Sequence, residues 1–528
     1  MTYFPFCRAT AAKRLLFTGA ALAAFAAAAH AQTAGAPAPT PHTQQAYDPE
    51  GNFTMRWTRA DIRQIVAQSH TAGADKNSLP QALSMPDIPQ DFPLINSNVW
   101  VWDTWPLADL RANQLSYKGW EVIFSLTADP HAGYTFDDRH VHARIGFFYR
   151  KTGIPASQRP ANGGWIWGGH LFPDGSSIRV FGPTVPITQN AEWSGSARLT
   201  SGANVSLYYT ALAFNKTSPN GPDITPPQAI ITRADGHIQA DDKHVWFTGF
   251  DDHKALLQPD GNYYQTGAQK NIYNSFRDPY VFTDPAHPGK TYMVFEGNTG
   301  GQRGARTCTE ADLGYAPNDP YKEDLNAVMN SGAVYQKANV GLAVATNPQL
   351  TEWKFLPPIL SANCVDDQTE RPQIYLSNGK YYLFTITHRS TYATGVDGPD
   401  GVMGFVGNGI RSDFLPMNKG SGLVLGNPTD LTQPVGFPFA LDPNQNPRKF
   451  QSYSHYVMPG GLVESFIDAI GPRRGGTLAP TVKVNINGTS TAVDRSYGRG
   501  GLGGYGEIPS NLPATGAGHN DGGSGTRP

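Results

Sequence analysis

The sequence predicts an all-β protein built as one large domain, and three observations carry that prediction. Gly and Pro, 57 and 43 of the 528 residues, punctuate rather than propagate regular structure and together make roughly a fifth of the chain. Short runs of aromatic and β-branched residues recur between these turn signals over about 350 residues, with no break resembling a linker. Helical periodicity is scarce. With 16% charged and 39% hydrophobic residues, including 23 Tyr, 26 Phe and 10 Trp, the chain has the composition of a packed core and not of a disordered polymer.

In chain order, residues 1–31 place Arg8, Lys13 and Arg14 before an apolar run over 15–29 and end on Ala29-His30-Ala31. This is the pattern of a cleavable secretory signal, and the run is shorter than the roughly 20 residues that span a bilayer. The mature chain is expected to begin at Gln32, to be secreted to the periplasm or outside the cell, and to leave no membrane anchor. Residues 32–54 open Ala/Pro/Thr-rich and read as a flexible leader. A short helix is expected after Thr58, a candidate N-cap, with Asp61 favourably placed in the first turn.

Strand-like runs follow at residues 120–126, 145–149, 205–214, 243–250, 291–296, 340–345, 380–387 and 462–467, each bounded by Gly, Pro, Asn or Asp. No repeat of fixed period is visible, so for residues 55–497 a propeller and a sandwich both stay open. Residues 498–528 are Gly-rich, lack a hydrophobic face and are expected to be disordered.

Loss of the signal would remove Cys7 and leave Cys308 and Cys364, an even pair in an oxidising compartment and therefore a candidate disulfide. Lys and Arg number 41 against 43 Asp and Glu, a net charge of −2 without long blocks of one sign, which excludes a polyanion-binding surface and with it a nucleic-acid partner. The chain has no Walker loop and no Gly-x-Ser-x-Gly elbow.

Several short motifs carry chemistry. Trp100-Val101-Trp102-Asp103-Thr104-Trp105-Pro106 sets a carboxylate among indoles, where a charge is costly unless paired or used and where a sugar ring stacks well. Phe276-Arg277-Asp278-Pro279-Tyr280 puts Arg beside Asp, which favours an ionised, acceptor-only carboxylate suited to sugar hydroxyls, although Arg-Asp-Pro is also a common turn. Asp366-Asp367-Gln368-Thr369-Glu370-Arg371-Pro372-Gln373 surrounds Glu370 with acids that favour its protonated form, as a general acid requires. Glu192-Trp193-Ser194-Gly195-Ser196 reads as a sugar-contacting loop or an ordinary turn. His140-Val141-His142 would place two imidazoles on one face of a strand, but a third ligand at a recognised spacing is missing and no metal is expected.

Taken in order, the motifs at Trp102-Asp103-Thr104-Trp105-Pro106, Glu192-Trp193-Ser194-Gly195-Ser196, Arg277-Asp278-Pro279 and Glu370-Arg371-Pro372-Gln373 resemble glycoside hydrolase family 68, above all its levan-forming members from Gram-negative bacteria such as the acetic-acid bacteria. The resemblance runs from about Met55 to about Ile470. It implies a single-domain five-bladed β-propeller with a funnel-shaped active site on its axis. It also implies retaining transfer of the fructosyl unit of sucrose to fructan, sucrose or water, releasing glucose. A mainly hydrolytic β-fructofuranosidase, an inulin-forming enzyme and a non-catalytic carbohydrate-binding propeller are the alternatives.

Carried over position by position, the resemblance makes Asp103 the nucleophile, Asp278 the transition-state stabiliser and Glu370 the acid/base, with Trp102, Trp193, Ser194, Arg277 and Arg371 at the sucrose site. Tyr453, with His455 in the stretch Tyr453-Ser454-His455, resembles a later substrate-side motif. Gln368 stands where Gram-positive relatives carry an acidic residue, and His388 where they carry Arg, so both are expected on the acceptor side. Cys308 and Cys364 fall where Gram-negative relatives place a disulfide, in place of the structural calcium of Gram-positive ones. No cofactor is implied, the partners are sucrose and fructan acceptors, and the chain is expected to act as a monomer.

Overall fold

The computed structural model describes residues 37–509 apart from 70–78, 173–176, 180–186, 214–227, 270–274, 302–307, 430, 432–450 and 472, together with the strand Ala514–Thr515. The expected signal peptide lies outside the described residues. Each strand-like run of the sequence overlaps a strand, with residues 243–244 before theirs and 214 outside the described residues: Trp120–Ala128, Arg144–Lys151, Asn204–Ala213, Val245–Leu257, Thr291–Asn298, Lys337–Ala345, Lys380–Thr387 and Leu462–Ile470. The helix is Arg59–Ser69, and its start is a reciprocal cap: the Thr58 N–H and hydroxyl donate to Asp61 Oδ2 at 2.9 and 2.7 Å, and the Asp61 N–H donates to Thr58 Oγ1 at 3.2 Å.

The strands form five consecutive antiparallel meanders. The first pairs Trp100–Ala108, Trp120–Ala128, Arg144–Lys151 and Ile166–His170 in order. The second runs Ala191–Ser201, Asn204–Ala213, Gln228–Ala240 and Val245–Leu257. The third runs Phe276–Thr283, Thr291–Asn298, Lys337–Ala345 and Trp353–Asn363. The fourth runs Glu370–Ser377, Lys380–Thr387 and Gly401–Gly407, edged by Leu423–Gly426. The fifth begins Ser452–Val457 and Leu462–Ile470, the latter flanked by Arg473–Leu478 and Pro480–Asn487. The first strand of each meander packs against the first strand of the next, and Ser452–Val457 returns to Trp100–Ala108. A ring of meanders around one axis is a β-propeller, and the sandwich falls away.

Ring closure explains two corrections to the sequence reading. The expected disordered tail is ordered over its first part: Leu502–Tyr505 pairs with Pro480–Asn487 in the fifth meander. The Tyr505 carbonyl accepts from Trp165 Nε1 at 3.1 Å and Arg150 at 3.2 Å in the first meander, while Ala514–Thr515 pairs with Ser116–Tyr117 there. Residues 502–505 and 514–515 thus strap the last meander to the first, which supplies the partners that their own composition lacks. The leader, too, is bound from residue 37 onward: Thr43 donates twice to Asp413 Oδ2 at 2.8 Å, and Ala46–Tyr47 pairs with Arg411–Ser412 of the fourth meander.

Cys308 and Cys364 are joined as a disulfide, with Cα atoms 5.8 Å apart and 56 positions between them in sequence. The Cys364 carbonyl also accepts from Arg59 at 2.7 Å, so the bridge anchors the start of the helix to the third meander. Closing a loop of this length is worth roughly 3 to 4 kcal/mol through the unfolded state. The double variant Cys308→Ser, Cys364→Ser should lose about that much in a denaturant titration. The denatured, unreduced mature protein should titrate essentially no free thiol, and finding two would remove the bridge.

Candidate active site

Each first strand carries one extra residue relative to its neighbour, and the five irregularities ring the axis. They fall between Trp102 and Trp105, Trp193 and Gly195, Arg277 and Tyr280, Glu370 and Gln373, and Tyr453 and Tyr456. Four are marked by a left-handed residue without a glycine: Asp103 at φ 46°, Asp278 at 60°, Arg371 at 48° and Ser454 at 58°. Such conformations cost about 1–3 kcal/mol each and persist where the surroundings over-determine them. At the fifth, Gly195 lies so close to the second strand that a Cβ would run into the Tyr208 carbonyl oxygen. The prolines suit this placement: Pro279 and Pro372 fall within bulges on the edge strand of a meander, where a missing N–H does the least harm.

The bulges present two layers of side chains. In the first layer, Arg277 Nε lies 2.6 Å from Glu296 Oε2 and its Nη2 lies 2.5 Å from Glu370 Oε1, while the guanidinium sits 5.4 Å from the Trp193 ring. The Tyr453 hydroxyl donates to Glu370 Oε2, and Gln368 Nε2 stands 3.4 Å from Glu370 Oε1. Trp102 and Trp193 both meet the edge of His140, at 5.9 and 6.3 Å between ring centres, and Trp193 Nε1 donates to the His140 carbonyl. In the second layer, Ser194 Oγ donates to Asp278 Oδ1 at 2.6 Å, and the Arg371 N–H donates to Asp278 Oδ2 at 3.1 Å.

Burial raises Asp103, against the Arg371 guanidinium and the Ser454 hydrogen bond, with Glu370 adding to the rise. Burial also pushes Asp278 up to about 6, opposed by Arg277 and reinforced by Glu370 and Asp103. Glu296, with no exposed surface, is held well above the usual carboxylate range by burial, again opposed by Arg277. Three acids from two meanders, Asp278, Glu296 and Glu370, thus crowd Arg277. In such a site, ionisation of one carboxylate depends on the state of the others.

Comparison with known proteins gives the arrangement its context. Residues 46–509 match the glycoside hydrolase 68 family, described as levansucrase/invertase. The chain belongs to glycoside hydrolase family 68. It is 66% identical over 480 residues to the levansucrase of Gluconacetobacter diazotrophicus, covering 90% of this chain and 82% of that protein. The crystal structure of that levansucrase superposes with a TM-score of 0.86, covering 90% of this chain and 97% of that one. The full-length β-fructofuranosidase of Microbacterium saccharophilum K-1 gives 0.85 at 57% identity, covering 90% of each chain. An extracellular sucrase of Zymomonas mobilis is 40% identical over 470 residues, 87% of this chain and 96% of that protein.

Seen as a family 68 site, the ring corrects several readings made from sequence. Asp366 and Asp367 do not flank Glu370. Asp366 accepts from the Thr387 hydroxyl at 2.6 Å and Asp367 from Asn298 at 3.2 Å, and burial pushes both up to about 7. The carboxylates around Glu370 come instead from other meanders. Arg371 donates to the Ser454 carbonyl at 2.6 Å and to the Thr104 carbonyl, pinning three bulges together. His140 and His142 do not share a strand face. They lie in the 3₁₀ turn Phe136–His142, where positions two apart diverge, and His142 stacks on Tyr134 while His140 meets the indoles. Among the described residues, no group of three His, Cys, Asp or Glu side chains is placed to hold a metal, and no helix is long and apolar enough to cross a membrane.

The sequence reading missed Glu296, Thr210 and Ser454. Thr210 Oγ1 accepts from the Asp278 N–H at 3.0 Å. Glu296 had a signal: it is a lone charge closing the apolar run Tyr292-Met293-Val294-Phe295, where a carboxylate has no local reason to be. Thr210 had none, being an ordinary strand hydroxyl, and Ser454 lay inside the Tyr453-Ser454-His455 stretch with nothing local to single out its hydroxyl.

Proposed function

We propose that the chain is a secreted fructosyltransferase of the levansucrase type, moving the fructosyl unit of sucrose by a retaining, two-step displacement. What supports the reading most is the convergence of Asp103, Asp278 and Glu370, from three different meanders, on one ring of bulges at the propeller axis, whose five meanders we read as five blades. In the first step Glu370 gives its proton to the oxygen leaving with glucose while Asp103 attacks the fructosyl anomeric carbon, forming a covalent ester with inversion. In the second, ionised Glu370 takes the proton of an acceptor hydroxyl, whose oxygen displaces Asp103 with a second inversion. Asp278, fastened by Ser194 and the Arg371 N–H, accepts hydrogen bonds from fructosyl hydroxyls as positive charge develops on the ring.

Arg277 and Tyr453 hold Glu370 in one orientation for both transfers. Trp193, half-buried, offers indole surface to the sugar, whereas Trp102 is buried. The enzyme's nucleophile and its acid/base are carboxylates of one chain, and the acceptor brings its own proton and electron pair, so the scheme calls for no cofactor and no second copy. Secretion fits the signal pattern of residues 1–31 and the extracellular sucrase among the relatives.

Similarity to a β-fructofuranosidase keeps net hydrolysis as the second reading. Incubation with sucrose separates the two. Transfer predicts free glucose in excess over free fructose, the missing fructose appearing in oligosaccharide and polymer of β-2,6 linkage. Equal glucose and fructose throughout would install the hydrolytic reading, and β-2,1 linkage an inulin-forming one.

A further inference from the structure

Asp400 has no place in this scheme, yet it stands behind the acid/base carboxylate through two arms. Its Oδ1 accepts from His388 Nδ1 at 2.7 Å and from the Arg389 N–H at 3.1 Å, and its side chain is 3% exposed. Its carbonyl accepts from the Asn427 N–H at 2.9 Å, so the backbone beneath it is also fastened. The His388 ring lies flat on Tyr453, with 3.5 Å between ring centres and 16° between planes, and Tyr453 donates to Glu370 Oε2. The His388 N–H donates to Gln368 Oε1 at 3.3 Å, and Gln368 Nε2 faces Glu370 Oε1. The two arms end on the two oxygens of one carboxylate. The His388 side chain keeps 23% of its surface exposed.

We propose that Asp400 is a positioning residue for acceptor choice: by holding His388 against Tyr453 it sets how often a sugar hydroxyl, rather than water, receives the fructosyl unit. The inference rests on the fructosyl-transfer reading. Water needs no orientation to meet Glu370, whereas a sugar must be held with one hydroxyl aimed at it. An imidazole locked at Nδ1 presents Nε2 in a fixed direction, and as imidazolium it offers a donor there to a sugar hydroxyl. Burial lowers His388, but Asp400 through its hydrogen bond and charge, then Glu370 and Asp468, raise it further, and the net direction is upward. Tyr453 faces it neutral, held well above its usual range by burial, while burial holds His140 and His455 below theirs. The donor at Nε2 is therefore present at low pH and lost as pH rises through the raised value.

The test follows the share of fructosyl units transferred to sugar, from glucose and free fructose released from sucrose between pH 5 and 8.5. In the parent this share should fall with rising pH. In Asp400→Asn the midpoint should move down by about one pH unit, because the carboxylate that keeps His388 charged is gone. The His388 imidazole should titrate lower by the same amount in NMR of ring-labelled protein. A folded Asp400→Asn protein with the parent's transfer profile and the parent's His388 titration would overturn the proposal. Should Asp400→Asn not fold, His388→Gln should flatten the pH dependence of the transfer share, and an unchanged profile there would overturn it equally. A parent that releases no glucose from sucrose would sink the fructosyl-transfer reading itself, an outcome distinct from either.

Discussion

Asp103→Asn should leave a folded protein whose kcat on sucrose is lower by about 10⁴-fold or more, for transfer and hydrolysis alike. The amide has the shape of the carboxylate, and Asn tolerates the left-handed backbone that Asp103 adopts at φ 46°, so the bulge should survive. What is lost is the oxygen that bonds to the anomeric carbon. Stability offers a control with a definite sign. Burial raises Asp103 above its unfolded value, so the folded state binds the extra proton and the ionised carboxylate costs stability as pH rises past the ordinary aspartate range. Near pH 7 the variant should melt at or above the parent, and the difference should close as pH falls to where both states are protonated. Appreciable fructosyl transfer by Asp103→Asn would place the nucleophile elsewhere.

Glu370→Gln should lower kcat on sucrose by roughly 10² to 10⁴-fold, the usual worth of a positioned acid/base, but with a different dependence on the leaving group. A fructoside whose leaving group is an acidic phenol needs no proton, so it should still load Asp103 in the variant. The covalent fructosyl-enzyme should then accumulate, because no base remains to activate the acceptor. Azide, already an anion, should release it. Arg277 keeps its contact with Glu296 in this variant, so the arginine is not left unpaired in the ring. Equal losses on sucrose and on the phenyl-type fructoside, with no trapped intermediate, would rule out the acid/base role.

The strands of the middle and outer positions were legible because their cause is local. Runs such as Tyr381-Tyr382-Leu383-Phe384 are aromatic and β-branched or aliphatic, lie buried, and end at turn residues such as Asn378 and Gly379, which sit at positive φ. The first strands were not legible as strands. Trp102-Asp103-Thr104, Arg277-Asp278-Pro279 and Glu370-Arg371-Pro372 carry charge and proline and read as turns, because a bulged edge strand facing a propeller axis tolerates what an inner strand cannot. The five-fold recurrence was invisible for a related reason. It is conserved in backbone geometry, one extra residue per first strand, while the side chains at the equivalent places differ from Trp to Arg to Glu to Tyr.

The amino-acid sequence alone determined the all-β class, the helix cap at Thr58 and Asp61, the cysteine pair and the motifs that hold Asp103, Asp278 and Glu370, since each depends on neighbours a few positions apart or on composition. Tertiary structure decided which charges meet. Arg277 reaches Glu370 across 93 positions and Ser194 reaches Asp278 across 84, whereas Asp366 and Asp367, only three or four positions from Glu370, are held elsewhere. It also decided that residues 37–47 and 502–505 are bound, because ring closure gives them partners from other parts of the ring. Electrostatics acts through space, and in a propeller the side chains that share the axis are by construction about one meander apart in sequence.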